Sequence, residues 1–294
     1  MKTYLECIPC FFKQALEAGR LSGADEKAQK RILDEVALNL PEFSLASSPP
    51  ETAKIIYGIV KKITREADPY ADIKEKSNKL ALGIYARLKK KVVSSRDSLL
   101  TAVELAIAGN IIDYGIKNTL NIEEELKRIL DREEDAIRKE GSSIFDYRHF
   151  RAAVKRSKII LYLGDNAGEV VFDRILIEEI KGSGRDKNII YAVKEKPVIN
   201  DALRKDALAA GIGNSASIIS SGVDTPGTVL SFCSKEFLKI FKRADMVISK
   251  GQGNFEALSD CKRHVFFLFM AKCPVIARDA GCKLGDIILL HKSR

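Results

Sequence analysis

The chain has no tryptophan and only three histidines, His149, His264 and His291, in 294 residues. None of the three stands at a nucleophile or zinc-ligand spacing, which argues against a catalytic triad and against a histidine-rich metal site. No Gly-x-x-x-x-Gly-Lys-Ser/Thr loop occurs, so a P-loop nucleotide enzyme is excluded. No apolar run reaches the roughly 18–20 residues that span a bilayer. The N-terminus, Met-Lys-Thr-Tyr-Leu-Glu-Cys, carries no apolar stretch of the signal-peptide kind. The expectation is a cytoplasmic protein with no membrane partner. Glutamine is scarce, at three residues, beside abundant lysine and glutamate. That bias leans toward a thermophile and says nothing about function.

Cysteine is present but sparse: Cys7, Cys10, Cys233, Cys261, Cys273 and Cys282. Only Cys7 and Cys10 form a spaced pair, and no second Cys-x-x-Cys completes a four-cysteine zinc site. The pair fits packing, a redox couple or a shared soft metal, and the sequence does not choose among them. The formal net charge is +9. A basic balance suits nucleic acid or phosphorylated small molecules alike. The basic residues are mixed with acids, as in Asn121–Glu140, and the sharpest cluster, Arg87–Lys91, reads as a solvated helix end. Nucleic acid is therefore not the expected partner.

Apolar residues are 46% of the chain, enough for a substantial core. Segments Cys10–Ala18, Lys27–Ala37, Glu51–Glu66, Ile73–Lys90, Leu99–Tyr114 and Ile122–Lys139 repeat apolar residues at helical spacing. Asp25 and Ser95 are the expected N-caps. Beyond about residue 157 the pattern changes. Short β-rich runs appear at 158–163, 188–193, 216–219, 246–249, 265–270 and 287–290, and helical runs separate most of them. Such alternation predicts an α/β fold with a mostly parallel, Rossmann-like sheet covered on both faces. The expected division is a helical region, 1–150, packed on an α/β catalytic domain, 151–294.

The strand ends carry the chemistry. Gly164-Asp165-Asn166-Ala167-Gly168-Glu169 lies between the first strand and its helix, where open α/β sheets build ligand sites. Asp165 and Asn166 offer hard oxygens suited to a divalent cation. An Asx turn capping the next helix fits the same residues equally well. Asn200 and Asp201 follow the second strand, again as ligand or helix cap. Two such pairs on successive parallel strands share one sheet edge. Lys250-Gly251-Gln252-Gly253-Asn254-Phe255-Glu256 follows another strand and opens a helix; its lysine and backbone N–H groups suit a phosphate. A polar loop, Ser220 to Thr228 with Asp224 and Thr225, is either pocket lining or plain connection. Gly211-Ile212-Gly213-Asn214 has the wrong order of helix and strand for a dinucleotide fingerprint.

Together these segments resemble the DUF89 family, the metal-dependent damage-control phosphatases. Ala108-Gly109-Asn110-Ile111-Ile112-Asp113, the Cys7/Cys10 start and Lys272-Cys273-Pro274-Val275-Ile276-Ala277 agree with it, so the resemblance covers almost the whole chain. It implies a divalent metal (Mn²⁺, Ni²⁺, Co²⁺ or Mg²⁺) on Asp165, Asn166 and Asp201. It also implies phosphate binding by Lys250, Gly251, Gly253 and Asn254, with Glu169 beside them. Asn110 and Asp113 match a segment that reaches the pocket from the helical half. The expected reaction is hydrolysis of phosphomonoesters of small metabolites, such as sugar phosphates, nucleotides or damaged phospho-metabolites. The expected catalytic residues are Asp165, Asn166, Asp201 and Lys250.

Two alternatives belong to other classes. One is an S-adenosylmethionine-dependent carboxyl methyltransferase, although Asp165 and Asn166 occupy the place of the usual glycine-rich loop. The other is a non-catalytic binder of a phosphorylated ligand or RNA, whose affinity would fall steeply with salt.

Overall fold

A computed structural model describes residues 1–109, 144–184 and 186–292. Asn110, Asp113, the end of the run to Tyr114 and the Ile122–Lys139 segment lie outside the described residues. Five helices open the chain: α1 Cys7–Leu21, α2 Glu26–Leu38, α3 Pro49–Thr64, α4 Ala71–Ser94 and α5 Ser98–Ala108. Their starts follow capping chemistry. Asp25 accepts from Ala28 N at 2.8 Å. At α3 the Glu51 carboxylate takes both the Ser48 N–H and hydroxyl at 2.7 Å, and two prolines occupy the first turn, where their missing N–H groups cost nothing. Ser95 is not a cap. It ends α4, and Asp97 caps α5 through Leu100 N.

The second half alternates as expected: α6 Tyr147–Arg156, β1 Ile159–Leu163, α7 Glu169–Gly182, β2 Asn188–Val193, α8 Arg204–Ala209, β3 Ser217–Ser220, α9 Lys235–Arg243, β4 Met246–Lys250, α10 Gln252–Leu258, β5 Val265–Met270, α11 Pro274–Ala280 and β6 Ile287–Lys292. The sheet order is β3-β2-β1-β4-β5-β6. The first five strands are parallel, and β6 runs antiparallel to β5. The chain winds outward from β1 and then returns to β4 on the other side. The switch point therefore lies between β1 and β4, where such sheets bind ligands.

Strand alternation splits the core in two. Ile160, Tyr162, Ile248 and Leu268 face a cluster with α4, α5, α6 and α7, including Val103, Ile107, Phe150 and Phe172. Leu161, Leu163, Val247 and Phe267 face α9, α10 and α11 through Phe237, Phe255 and Ile276. A third cluster, with Phe11, Ile32, Val36, Ile56 and Tyr70, joins α1, α2 and α3. Helices α4 and α5 thus share the core of the α/β sheet, whereas α1 to α3 hold a core of their own. No helix among the described residues is long and apolar enough to cross a membrane.

Candidate active site

Main-chain hydrogen bonds zip the loop after β1 to the loop after β2. Ala202 N donates to Asp165 O at 2.8 Å, Ala167 N donates to Asn200 O at 2.9 Å, and Asn166 and Asp201 form an antiparallel bridge. This pairing brings Asp165, Asn166 and Asp201 together. It also decides between ligand and cap for Asp201. Helix α8 begins only at Arg204, and its start is held by Asp206, which accepts Leu203 N at 2.9 Å. Asp206 also accepts from Asn78, whose own Oδ1 takes the Gly168 N–H at 2.7 Å. One side chain of α4 thereby fixes both loops. Ile199 sits at φ +36°, a left-handed conformation costly for a β-branched residue, beside Asn200 and Asp201.

The electrostatics of this edge are those of crowded, dry acids. Burial pushes the Asp165 carboxyl well above its usual range, and the Glu169 and Asp201 carboxylates add to that, against Lys272 and Lys194. Asp201 is 0% exposed, and burial raises it to about 6, with Lys194 opposing. Neither Asp201 oxygen accepts a hydrogen bond, although Lys194 Nζ stands 3.4 Å from Oδ2. Buried acids in native proteins are normally saturated with donors, so a carboxylate met only by one long ion pair to Lys194 leaves room for a bound cation. Among the described residues no three His, Cys, Asp or Glu side chains form a ready-made metal cluster. The donors that fit are two carboxylates and the Asn166 amide, a hard oxygen set of the kind that leaves positions to water and substrate.

Lys250 is placed differently from the expected phosphate contact. Its ammonium is 1% exposed and donates to Glu169 Oε2 at 3.1 Å and Asp173 Oδ1 at 2.8 Å. Burial works against its charge, yet those two carboxylates hold its pKa above the usual lysine value. The connection to the edge runs through Glu169, which accepts from Asn166 Nδ2 at 2.8 Å; the same Nδ2 lies 3.0 Å from Asp165 Oδ2. Gly251, at φ +80°, lies so close to Asp165 that a Cβ there would overlap the carboxylate. At Gly253 a Cβ would strike the Pro226 carbonyl. Asn254 is fully buried and braces the loops: it donates to Gly164 O and Lys250 O and accepts from Thr228 N and Oγ1 at 2.8 Å. Asp224 pairs with Lys54 at 2.5 Å, and the buried Thr225 hydroxyl donates to Gly227 O. Asp224 and Thr225 do not line the cavity described next.

That cavity, of about 550 Å³, lies between α1, α3 and the sheet edge. Asp165, Asn166 and Asn200 line its sheet side, Phe11, Tyr57 and Tyr70 its helical side, and Gln252 and Gly253 the turn of α10. Lys272 also lines it, just beyond β5, and is the lysine that both reaches the cavity and acts on Asp165. Sequence spacing gave Lys272 no separate role; it stood out only as the first residue of the Lys272–Ala277 segment that shares the family resemblance. Cys7 and Cys10 line the wall together with Cys273, and all three thiols are free.

With this geometry in view, comparison with known proteins is decisive. Residues 3–288 match the damage-control phosphatase ARMT1-like domain. The chain belongs to this family. The damage-control phosphatase PH1575 of Pyrococcus horikoshii is 33% identical, covering 99% of this chain and 98% of its own. A damage-control phosphatase of Archaeoglobus fulgidus is 32% identical, covering 98% of each chain. The uncharacterized protein MJ0202 of Methanocaldococcus jannaschii is 36% identical over 98% of this chain and 94% of its own. The crystal structure of the Pyrococcus horikoshii DUF89 protein superposes with a TM-score of 0.88 over 99% of both chains. The solved structure's likeness thus agrees with the α/β fold.

Proposed function

We propose that the protein is a divalent-metal-dependent phosphatase acting on phosphomonoesters of small metabolites. The observation that carries this reading is the fully buried, hydrogen-bond-free carboxylate of Asp201 zipped against Asp165 and Asn166 at the switch point of an ARMT1-like fold. Asp165, Asn166 and Asp201 would hold the ion. When bound, Mn²⁺, Ni²⁺, Co²⁺ or Mg²⁺ supplies Lewis-acid polarisation of phosphoryl oxygens.

The chain's own residues supply the rest. Lys272 brings a positive charge to the cavity for the phosphoryl group. Gly251 lets the backbone come against Asp165 without a side chain between them. Lys250 neutralises Glu169 and Asp173, so Glu169 can fix the Asn166 amide. The cavity is large enough for a sugar phosphate, a nucleotide or a damaged phospho-metabolite. The relatives named as phosphatases do not favour the methyltransferase alternative. The test is a metal-by-substrate screen for phosphate release, with Asp165→Ala as control. Metal-stimulated turnover lost in that variant supports the reading. Ligand binding without turnover under any metal overturns it in favour of a pure binder.

A further inference from the structure

Helix α4 lies against both α7 and α8, the helices that follow the two ligand loops. Its buried face changes character along its length. Toward the C-terminal end the face is Ala81, Leu88 and Val92; in the first two turns it is Lys74, Ser77 and Asn78. A buried polar group costs free energy unless it is hydrogen-bonded, and an apolar side chain fills core space without that cost. Asn78, 8% exposed, uses both ends of its amide on the loops. Its Oδ1 accepts Gly168 N at 2.7 Å, and its Nδ2 donates to Asp206 Oδ1 at 2.8 Å. A backbone N–H only donates, so the amide oxygen has to face Gly168 and the NH₂ group Asp206. Gly168, at φ +83°, is the N-cap of α7, and Asp206 in turn accepts Leu203 N through its other oxygen. Gly168 stands two residues after Asn166, and Leu203 two residues after Asp201. The grip therefore falls at the same step beyond the last acid or amide of each loop. Neither Asn78, Gly168 nor Asp206 lines the cavity.

We propose that Asn78 is a positioning residue for the metal site: through the polarity of its amide it sets where the Asp165–Asn166 loop and the Asp201 loop stand relative to each other. The proposal rests on the phosphatase reading for the identity of those ligands. The main-chain zipper ties the two loops directly together; Asn78 ties both to a helix that belongs to the core of the sheet. Ligands serve an ion only when held within about 0.5 Å of the productive geometry, and the partners that orient them carry about 10–100-fold of metal affinity. The arrangement has a defined polarity that can be reversed. Asn78→Asp keeps the shape and the acceptor for Gly168 N but sets two carboxyl groups against each other. Asp206→Asn keeps an acceptor for Leu203 N but sets two NH₂ groups against each other. The double variant Asn78→Asp/Asp206→Asn makes every bond again. The carboxylate at position 78 accepts from Gly168 N and from the amide at position 206, whose oxygen accepts Leu203 N.

The test is the Mn²⁺ affinity of the full chain, read by titration calorimetry without substrate, with circular dichroism as the check on folding. Each single variant should bind Mn²⁺ about 10–100-fold more weakly than the wild type, and the double variant should recover most of that loss. The proposal is overturned if a folded single variant binds Mn²⁺ as the wild type does, or if the double variant stays as weak as the singles. If one single variant does not fold, the other carries the comparison. If neither folds, Asn78 serves the fold alone and the proposal is overturned. Phosphate release measured beside the titration separates this from the reading it rests on. The expected affinity pattern in a chain that releases no phosphate supports the role of Asn78 and overturns the phosphatase. A wild type without Mn²⁺ affinity overturns both.

Discussion

Asp173 and Asp201 are both fully buried acids beside the same sheet end, and they differ in what reaches them. Asp173 accepts from the Tyr162 hydroxyl at 2.7 Å, the Tyr191 hydroxyl at 2.8 Å and Lys250 Nζ at 2.8 Å. Asp201 accepts no hydrogen bond at either oxygen and has Lys194 alone at ion-pair distance. A saturated buried acid is a structural part. An unsaturated one is a cost that the fold carries for a ligand. The difference separates two kinds of residue that look alike in composition, and it is open to direct challenge.

The largest expected effect is on activity. Asp165→Ala should lower metal-dependent phosphate release by about 10²–10³-fold, as for other groups that stabilise transition-state charge. Its folding stability should hold, because the lost carboxyl is one that burial and two neighbouring acids disfavour as an anion. Urea unfolding beside the rate assay checks both halves. Lys250→Met should behave in the opposite way. It leaves Glu169 and Asp173 buried without their cation, at a cost of about 3–5 kcal/mol in urea unfolding. Equal stability losses in the two variants would erase the distinction between bracing and binding acids.

A smaller effect tests the unsaturated side alone. Mn²⁺ at about a hundred times its dissociation constant should stabilise the wild type by about 2.7 kcal/mol. Asp201→Asn should lose most of that gain, while Asp173→Asn, if it folds, should keep it. Thermal unfolding with and without metal reads this directly. A melting temperature of the Asp201→Asn protein that still rises with Mn²⁺ as in the wild type removes Asp201 from the ligand set.

Much of this was legible in the sequence. All six strands fall where β-rich runs stand, because a sheet buried on both faces needs continuous apolar runs, and the Asp165 and Asp201 loops were visible as strand ends. The rest depended on approach in space. Lys250 pointed to a phosphate by its place in a glycine loop. Glu169 and Asp173 reach it from α7, a contact set by how that helix packs across the sheet. Asp201 read as either ligand or helix cap until the main-chain bridge to Asn166 held it out of α8. Ser95 and Asp97 are both good cap residues two positions apart, and only the break between α4 and α5 selects Asp97. The aromatic wall of Phe11, Tyr57 and Tyr70 comes from helices far along the chain, so no local pattern marks it as facing the acids.

The smallest effect concerns an acid between the two extremes. Glu256 lines the cavity wall and accepts one hydrogen bond, from Gln252 Nε2 at 3.0 Å. Burial pushes its pKa from 4.5 up to about 7, against the pull of that hydrogen bond and of the N-terminal ammonium. Below pH 4.5 the carboxyl is protonated in both the folded and the unfolded chain and costs nothing. As pH rises toward 7, the unfolded chain releases the proton while the folded chain keeps it, and stability from this group is lost. Above that pH the loss is constant. Glu256→Gln should therefore leave stability unchanged near the low end of this window and raise it by about 1–2 kcal/mol above the high end. Urea unfolding of both proteins across the window is the measurement. A stability gain already complete at the acidic end would mean that ionisation of Glu256 is not its source, and no gain at the alkaline end would mean its proton leaves as easily in the folded chain as in the unfolded one.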